Sequence, residues 1–323
     1  MGIKNLNKYF YDNCSKESIS KIHFEKLRGK TIVIDTSIYL YQFLNENALI
    51  ENMYLFISIM ALYDIIPIFV FDGKPPPEKR ELIKKRYEER KLAESKYKEL
   101  SNSLQNMSDL EKSKIYNEME LLKRQFTRVY EEDIIKVKEL LDAYKILYIN
   151  SPNEADDLCV YLVKSGIAWG CLSDDMDMFV YGCPYVLRNL SLMNHTVMLY
   201  NTNSILKELN ISQKHFCEIT TLSGTDYNID MKTSLNETLN HYNSYNKYIN
   251  KCKINNTNYN QFYIWLLKNT KYITDYRSLI NILNIFMGKN YDNYKNIEVI
   301  INKIEPDIKK IRLIMEKEGF IFS

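Results

Sequence analysis

None of the six cysteines (Cys14, Cys159, Cys171, Cys183, Cys217 and Cys252) forms a C-x-x-C pair, and the four histidines are scattered. The spacing of a zinc site is therefore absent. No secretory leader is legible at the start, so the thiols are expected to be reduced in an intracellular protein, and sequons such as Asn194-His195-Thr196 carry no meaning. Met1-Gly2 opens like a myristoylation signal, but position 6 is Leu rather than Ser or Thr, and the motif fails. No charge of one sign dominates: 43 basic side chains face 41 acidic ones, for a net charge of +2. That balance neither demands nor excludes nucleic acid, because distribution matters more than the sum. No fixed-period repeat is present. One run, residues 53–71, is almost wholly apolar, but Asp64 and Pro67 interrupt it. It reads as a buried helix ending near Asp64 followed by a buried strand, not as a membrane span.

What remains is a chain of 323 residues, 46% hydrophobic, enough for one large domain or two ordinary ones. Three short apolar runs in it end in an acid. Thr31–Ile34 leads into Asp35, Pro67–Phe71 into Asp72, and Gly170–Ser173 into Asp174, Asp175 and Asp177. Short runs rich in β-branched residues and bounded by turn signals predict buried strands. Segments with helical spacing lie between them, at 36–45, 52–64 and 153–165. The alternation predicts an α/β fold with a mostly parallel twisted sheet flanked by helices. Ligands of such sheets sit beyond the carboxyl ends of the strands, which is where the acids fall.

Residues 77–145 differ in character. They are heavily charged, without Gly or Pro after Pro77, and predict two or three long helices with a break near 101–109. By itself this segment reads equally well as a solvated helical hairpin. From about 228 onward Asn, Tyr, Ile and Lys dominate, and helices are expected at 259–269, 276–287 and 294–317.

Singly, each acid has a structural explanation. Asp35 is placed to cap a helix, Asp72 to form a turn with Gly73, and Glu154 and Asp156 to favour the first turn of a helix. Asp175 and Asp177 fit a loop, and Asp226 lies in the turn-forming Ser223–Tyr227. Together they say more. The sheet predicted above would bring Asp35, Asp72, Asp175 and Asp177 to one edge, with Glu154 and Asp156 two apart and able to flank one ion. Each like-charged pair at about 4 Å costs about 4 kcal/mol at an effective dielectric near 20, so the cluster calls for cations. Hard oxygen donors without His or Cys favour Mg2+ or Mn2+. Two such ions roughly 4 Å apart are the usual device for phosphodiester cleavage.

These residues resemble the flap endonuclease/XPG family of structure-specific 5′ nucleases. The opening Met1–Leu6 is similar to that family's N-terminus. The blocks IDTSIYLYQFL (34–44), FVFDGKPP (69–76), SPNEADD (151–157), LSDDMDMFVYG (172–182) and LSGTDY (222–227) follow in its order. The resemblance covers roughly the first 230 residues. It implies a PIN-like nuclease core at 1–227, made of an N-terminal block 1–76, a helical arch at 77–145 and an internal block 146–227, followed by a helical C-terminal region at 228–323. It implies that Asp35, Asp72, Glu154, Asp156, Asp175, Asp177 and Asp226 hold two Mg2+ ions, with Mn2+ able to substitute. Asp156 stands where the family usually has Glu, and Asp174 precedes Asp175 where Glu is common. Lys79 and Arg86 match a basic pair at the base of the arch, expected to hold the scissile phosphate and stabilise charge in the transition state, and together with Asp175 they are the expected catalytic residues. Tyr41 matches an aromatic on which a base stacks, though a buried core tyrosine explains it equally well. Gly2, Lys74, Arg80, Lys84 and Lys85 complete the expected DNA contacts. Residues 74–98 hold ten Lys or Arg against five acids, which suits a phosphate-lined channel for a single-stranded 5′ end.

The implied activity is 5′ flap endonuclease with 5′→3′ exonuclease activity in DNA replication, repair or recombination. The alternatives are a Holliday-junction or bubble resolvase of the same family, and an inactive nuclease-fold DNA-binding module. The expected partner is DNA with a 5′ flap or junction, bound by a monomer without a membrane; no sliding-clamp motif is present. After Asp226 the chain reads NIDMKTSLNETLNHYN, without the Gly-x-Gly with which the family's helix–two-turn–helix grips duplex DNA. The short, Asn-rich tail resembles compact relatives encoded by large DNA viruses. The expected location is the nucleus, or a host nucleus or cytoplasmic replication site for a viral protein.

Overall fold

The computed structural model describes residues 3–103, 109–228, 233–252, 261–273, 275–287, 291–295, 297, 299 and 305–322. Along the described chain run α1 (Leu6–Asn13), β1 (Ile19–His23), β2 (Thr31–Asp35), α2 (Thr36–Asn45), α3 (Leu49–Leu62), β3 (Ile66–Phe71), α4 (Arg80–Ser103), α5 (Asp109–Phe126), α6 (Glu131–Tyr144) and β4 (Tyr148–Asn150). There follow α7 (Ala155–Lys164), β5 (Gly170–Leu172), α8 (Asp177–Val180), β6 (Tyr185–Ser191), β7 (Thr196–Asn201), α9 (Thr202–Glu208), α10 (Gln213–Leu222), α11 (Leu235–Cys252), α12 (Gln261–Asn269), α13 (Tyr276–Phe286) and α14 (Ile308–Lys317). Contacts divide the chain into two compact units. The first holds Met1–Asp35, Ile59–Lys74 and Ile149–Ile301; the second holds Thr36–Ser58, Pro75–Tyr148 and Asn302–Ser323.

The sheet has the order β1-β7-β6-β5-β2-β3-β4. β2 runs parallel to β3 and β5, and β5 parallel to β6; β7 turns back antiparallel to β6 and β1. The centre is parallel because each of these strands returns through helix rather than a hairpin. Its residues, Ile32–Ile34 and Ile68–Phe71, are buried on both faces, as a parallel sheet covered by helices requires. Val33 is level with Ile68 and with Cys171, so β2, β3 and β5 end side by side. α7 lies against all three through a buried stripe that includes Leu158, Cys159 and Leu162. Phe10 of α1 meets Phe179 at 5.1 Å and Phe216 of α10 at 5.9 Å, closing a second core.

The second unit is helical. Tyr39 and Phe43 of α2 meet Phe56 of α3 in its core. α4 and α5 run as a pair, joined by Tyr97 against Phe126 at 5.3 Å and by an exposed Lys96–Glu118 ion pair at 2.8 Å, a contact of small energetic weight. α14 lies on α6, where Asp307 N donates to Ala143 O at 2.8 Å, and Phe320 reaches Tyr54 at 5.7 Å.

The expected strands at 31–34, 67–71 and 170–173 and helices at 36–45, 52–64 and 153–165 all form, the helix at 36–45 within its expected bounds and no boundary moved by more than three residues. The apolar run 53–71 divides as expected. α3 stops at Leu62, and Asp64, at φ +52°, turns the chain and accepts from Gly29 N at 3.0 Å. Among the described residues no helix is long and apolar enough to cross a membrane. α4 is described to Ser103 and α5 from Asp109; the break expected at 101–109 falls on residues 104–108, which lie outside the described residues. Of the helix expected over 294–317, residues 296, 298 and 300–304 lie outside the described residues; residues 305–307 are not helical, and the described helix begins only at Ile308. Pro306 biases Glu305 away from helix, and the Asp307 side chain caps the new start by accepting from Lys310 N at 3.0 Å.

Candidate active site

Asp35 is the last residue of β2 and only 5% exposed. It accepts a hydrogen bond from Ser173 Oγ at 2.9 Å, just past the end of the neighbouring β5. The same Ser173 oxygen accepts from Asp175 N at 3.1 Å, and Asp175 Oδ1 accepts from Asp177 N at 3.0 Å as α8 begins. Asp175 and Asp177 are 7% and 2% exposed. Three buried acids thus lie along one chain of hydrogen bonds at the carboxyl ends of β2 and β5, Asp35 through its carboxylate, Asp175 through both its amide and its carboxylate, and Asp177 through its amide. The sequence marks Ser173 only as the end of an apolar run; the signal for its role is a hydroxyl placed directly between a strand and an acidic turn.

Asp72 follows β3 and is exposed. Its Oδ1 accepts from Ala155 N, the first amide of α7, at 2.7 Å. Glu154 occupies the cap position of that helix without capping it, and Asp156 lies in its first turn. Negative charge is favoured there by the amides of the helix start. The approach of Asp72 to α7 depends on Gly73. Its N donates to Asn153 O at 2.6 Å, and a Cβ on it would lie 2.1 Å from Ser151 O.

Glu154 Oε2 accepts from Tyr227 OH at 3.1 Å, and Tyr227 shares a second hydrogen bond with Tyr181 OH at 3.2 Å. This ties the loop of half-buried Asp226 to the start of α7. The phenol and thiol groups here register the surrounding negative charge. Tyr227 is pushed far above the ordinary tyrosine range by burial and then by the charge of Glu154, with Asp177 and Asp156 adding. Burial first, with Asp35 and Asp156 contributing, raises the Cys159 thiol to about 11. Tyr227 closes the stretch LSGTDY (222–227), and nothing local in the sequence marks its role.

Among the described residues, no three Asp, Glu, His or Cys side chains close on a point as a ready-made ion cage. The donors that gather are all carboxylate oxygens, the chemistry of Mg2+ and Mn2+, and Mg2+ characteristically keeps several of its waters and takes only one or two carboxylates directly. The donor set fits such an ion.

Of the expected DNA contacts, Lys79 ends a 3-10 turn at Pro77–Lys79 and is 7% exposed. Arg86 is half-buried on α4, its carbonyl accepting from Arg90 Nε at 3.1 Å. Arg80, Lys84 and Lys85 are exposed on α4, and Lys74 is exposed after Gly73. Tyr41 is 42% exposed, which removes the reading of it as a core tyrosine; Tyr39, fully buried, fills that place. Gly2 lies outside the described residues.

The sequence matches the XPG N-terminal domain over residues 1–93 and the XPG I-region over 145–226. All seven acids, Lys79 and Arg86 fall inside those two stretches. The chain is 34% identical over 239 residues to flap endonuclease 1 of Methanococcus aeolicus, covering 68% of each protein. It is 33% identical over 248 residues to flap endonuclease 1 of Glycine max, covering 70% of this chain and 62% of that protein. The chain belongs to the flap endonuclease/XPG family. Solved structures share its fold: the catalytic core of Rad2 in complex with DNA substrate, with a TM-score of 0.69 at 23% identity over 99% of this chain and 96% of that one, and flap endonuclease-1 from Methanococcus jannaschii, with 0.60 at 24% identity over 93% and 90%. The chain spans 62% of the length of the Glycine max relative.

Proposed function

We propose that the protein is a structure-specific 5′ nuclease that hydrolyses DNA phosphodiester bonds, acting on 5′ flaps and as a 5′→3′ exonuclease, with Mg2+ as its natural ion and Mn2+ as a substitute. The observation that carries this reading is the relay Asp35–Ser173–Asp175–Asp177 at the carboxyl edge of the sheet, where burial makes ionised carboxylates costly without a cation. Asp35, Asp72, Glu154, Asp156, Asp175, Asp177 and Asp226 are the residues assigned to hold the metal. Bound divalent ions would supply an activated water and neutralise charge developing at the phosphate. Ser173 holds Asp35 and Asp175 in one orientation. The Ala155 amide aims Asp72, and Tyr227 aims Glu154. Lys79 and Arg86 are assigned to phosphate oxygens, where a fixed positive charge is worth most as negative charge grows. The helical segment 77–145, with its exposed Lys and Arg, is assigned to the single-stranded 5′ end.

The test incubates purified protein with end-labelled flap, nicked, four-way and single-stranded DNA, with Mg2+ and with chelator. Cleavage is expected with Mg2+, fastest on the flap, and none with chelator. Cleavage that survives chelation refutes the role of the acids. No cleavage of any substrate refutes the nuclease reading.

A further inference from the structure

Arg188 lies on β6, is 8% exposed, and has no part in the steps above. A charge in such a place is kept only if it is well bonded. Nη1 donates to Asn7 Oδ1 on α1 at 3.0 Å, and Nη2 donates to the backbone O of Asp174 at 2.8 Å. Nε lies 3.9 Å from the Asp174 carboxylate, and the Tyr200 ring sits 5.6 Å from the guanidinium carbon. Tyr200 OH donates to the same Asn7 oxygen at 2.9 Å. The next residue of β6, Asn189, donates its N to Asp174 Oδ1 at 2.7 Å. Asp174 is therefore held by its carbonyl and its carboxylate at once, from two consecutive residues of one strand. The residue after it is Asp175, and two further on is Asp177.

We infer that Arg188 is a positioning residue for Asp175 and Asp177. It anchors the outer side of the turn between β5 and α8, while Ser173 and Asp175 fix the inner side, and through Asn7 it ties that turn to the first helix. The inference rests on the reading of those acids as ion-binding. Only a planar fork reaches both Asn7 and the Asp174 carbonyl; a lysine in its place reaches one.

Arg188→Ala, Arg188→Lys and Asn7→Ala are compared with wild type by amide exchange of the peptide 172–179, by calorimetric titration with Mn2+ in the absence of DNA, and by cleavage kinetics. Loss of the fork should speed exchange in 172–179 about tenfold, the equivalent of one hydrogen bond, with β2 and β3 unchanged. It should weaken Mn2+ binding and lower kcat by ~10–100-fold, with KM for DNA nearly constant. Arg188→Lys should fall between wild type and Arg188→Ala, and Asn7→Ala should move the same way by less. A folded Arg188→Ala protein with wild-type exchange in 172–179 and wild-type Mn2+ affinity overturns the inference, as does faster exchange spread evenly over the sheet. Where Arg188→Ala does not fold, the other two variants decide by the same readouts. A wild-type protein that binds no Mn2+ refutes the ion-binding reading, and the exchange pattern still decides whether Arg188 fixes the turn.

Discussion

Replacing Gly73 by alanine tests how the second half of the site is assembled. The added Cβ would lie 2.1 Å from Ser151 O, 2.8 Å from Pro152 C and 2.9 Å from Asn153 O, all backbone atoms with no side chain to swing aside. Relief to an ordinary contact of 3.4 Å requires a movement of about 1.3 Å. That movement breaks the bond from Gly73 N to Asn153 O and loosens the one from Ala155 N to Asp72. Overpacking of this kind costs about 1–3 kcal/mol, and each lost bond about 1 kcal/mol more. A total of ~2–4 kcal/mol should lower Tm by roughly 5–10 °C in a unit of this size. The effect on chemistry should be larger, because Asp72, Glu154 and Asp156 lose their common frame, and a misplacement of about 1 Å costs ~100-fold in turnover. Thermal melts followed by circular dichroism and single-turnover cleavage of a flap substrate read both quantities. A variant that melts and cleaves as wild type would show that the turn yields freely, and the argument from close approach would be wrong.

Asp175→Asn should abolish cleavage, by ~100-fold or more, while DNA affinity measured by fluorescence anisotropy stays within ~3-fold, since the amide oxygen can still accept from Asp177 N and the fold is kept. Retained cutting would remove Asp175 from the site. Lys79→Ala, checked beside Lys79→Met because the stem is buried, should lower kcat ~100-fold with little change in KM; unchanged turnover would argue against a transition-state role. His215 on α10 is held neutral, its pKa lowered to about 4 by burial and then by Lys214, against a pull in the opposite direction from any charge on Glu218, 4.0 Å away. The unfolded chain binds a proton at His215 below about 6.5 that the folded chain refuses until about 4. Stability should therefore be lost as pH falls through that window, by on the order of 2 kcal/mol. Urea midpoints at pH 7 and pH 4.5 should differ less in His215→Gln than in wild type, and an equal drop in both would assign the effect to other groups.

Much of the fold was legible because it is written locally. Three buried strands announced themselves as apolar runs closed by acids, and the long charged helices by an unbroken series of helix formers. The β6–β7 hairpin was not legible. Val186, Leu187 and Arg188 are buried in succession, so neither face alternates, and the turn uses His195 at φ +49° in place of glycine. α10 was hidden for a related reason: Thr220, Thr221 and Glu218 are buried beside Phe216 and Leu222, Thr220 Oγ1 returning its proton to Phe216 O at 2.7 Å. Tyr41 and Tyr39 could not be told apart by sequence, because two residues along one helix turn the side chain from core to solvent.

By itself the sequence determined that acids stand at strand ends, that no soft metal ligands cluster, and that a long charged insertion separates the two acidic halves, since each of these depends on neighbours in the chain. Only the tertiary structure decided what joins those acids. Ser173 reaches Asp35 across 138 positions, Tyr227 reaches Glu154 across 73, and Arg188 reaches Asn7 across 181. Hydrogen bonds of that span are made by strands and helices brought together by burial of their apolar faces, and the residues that form them carry no mark in their own surroundings.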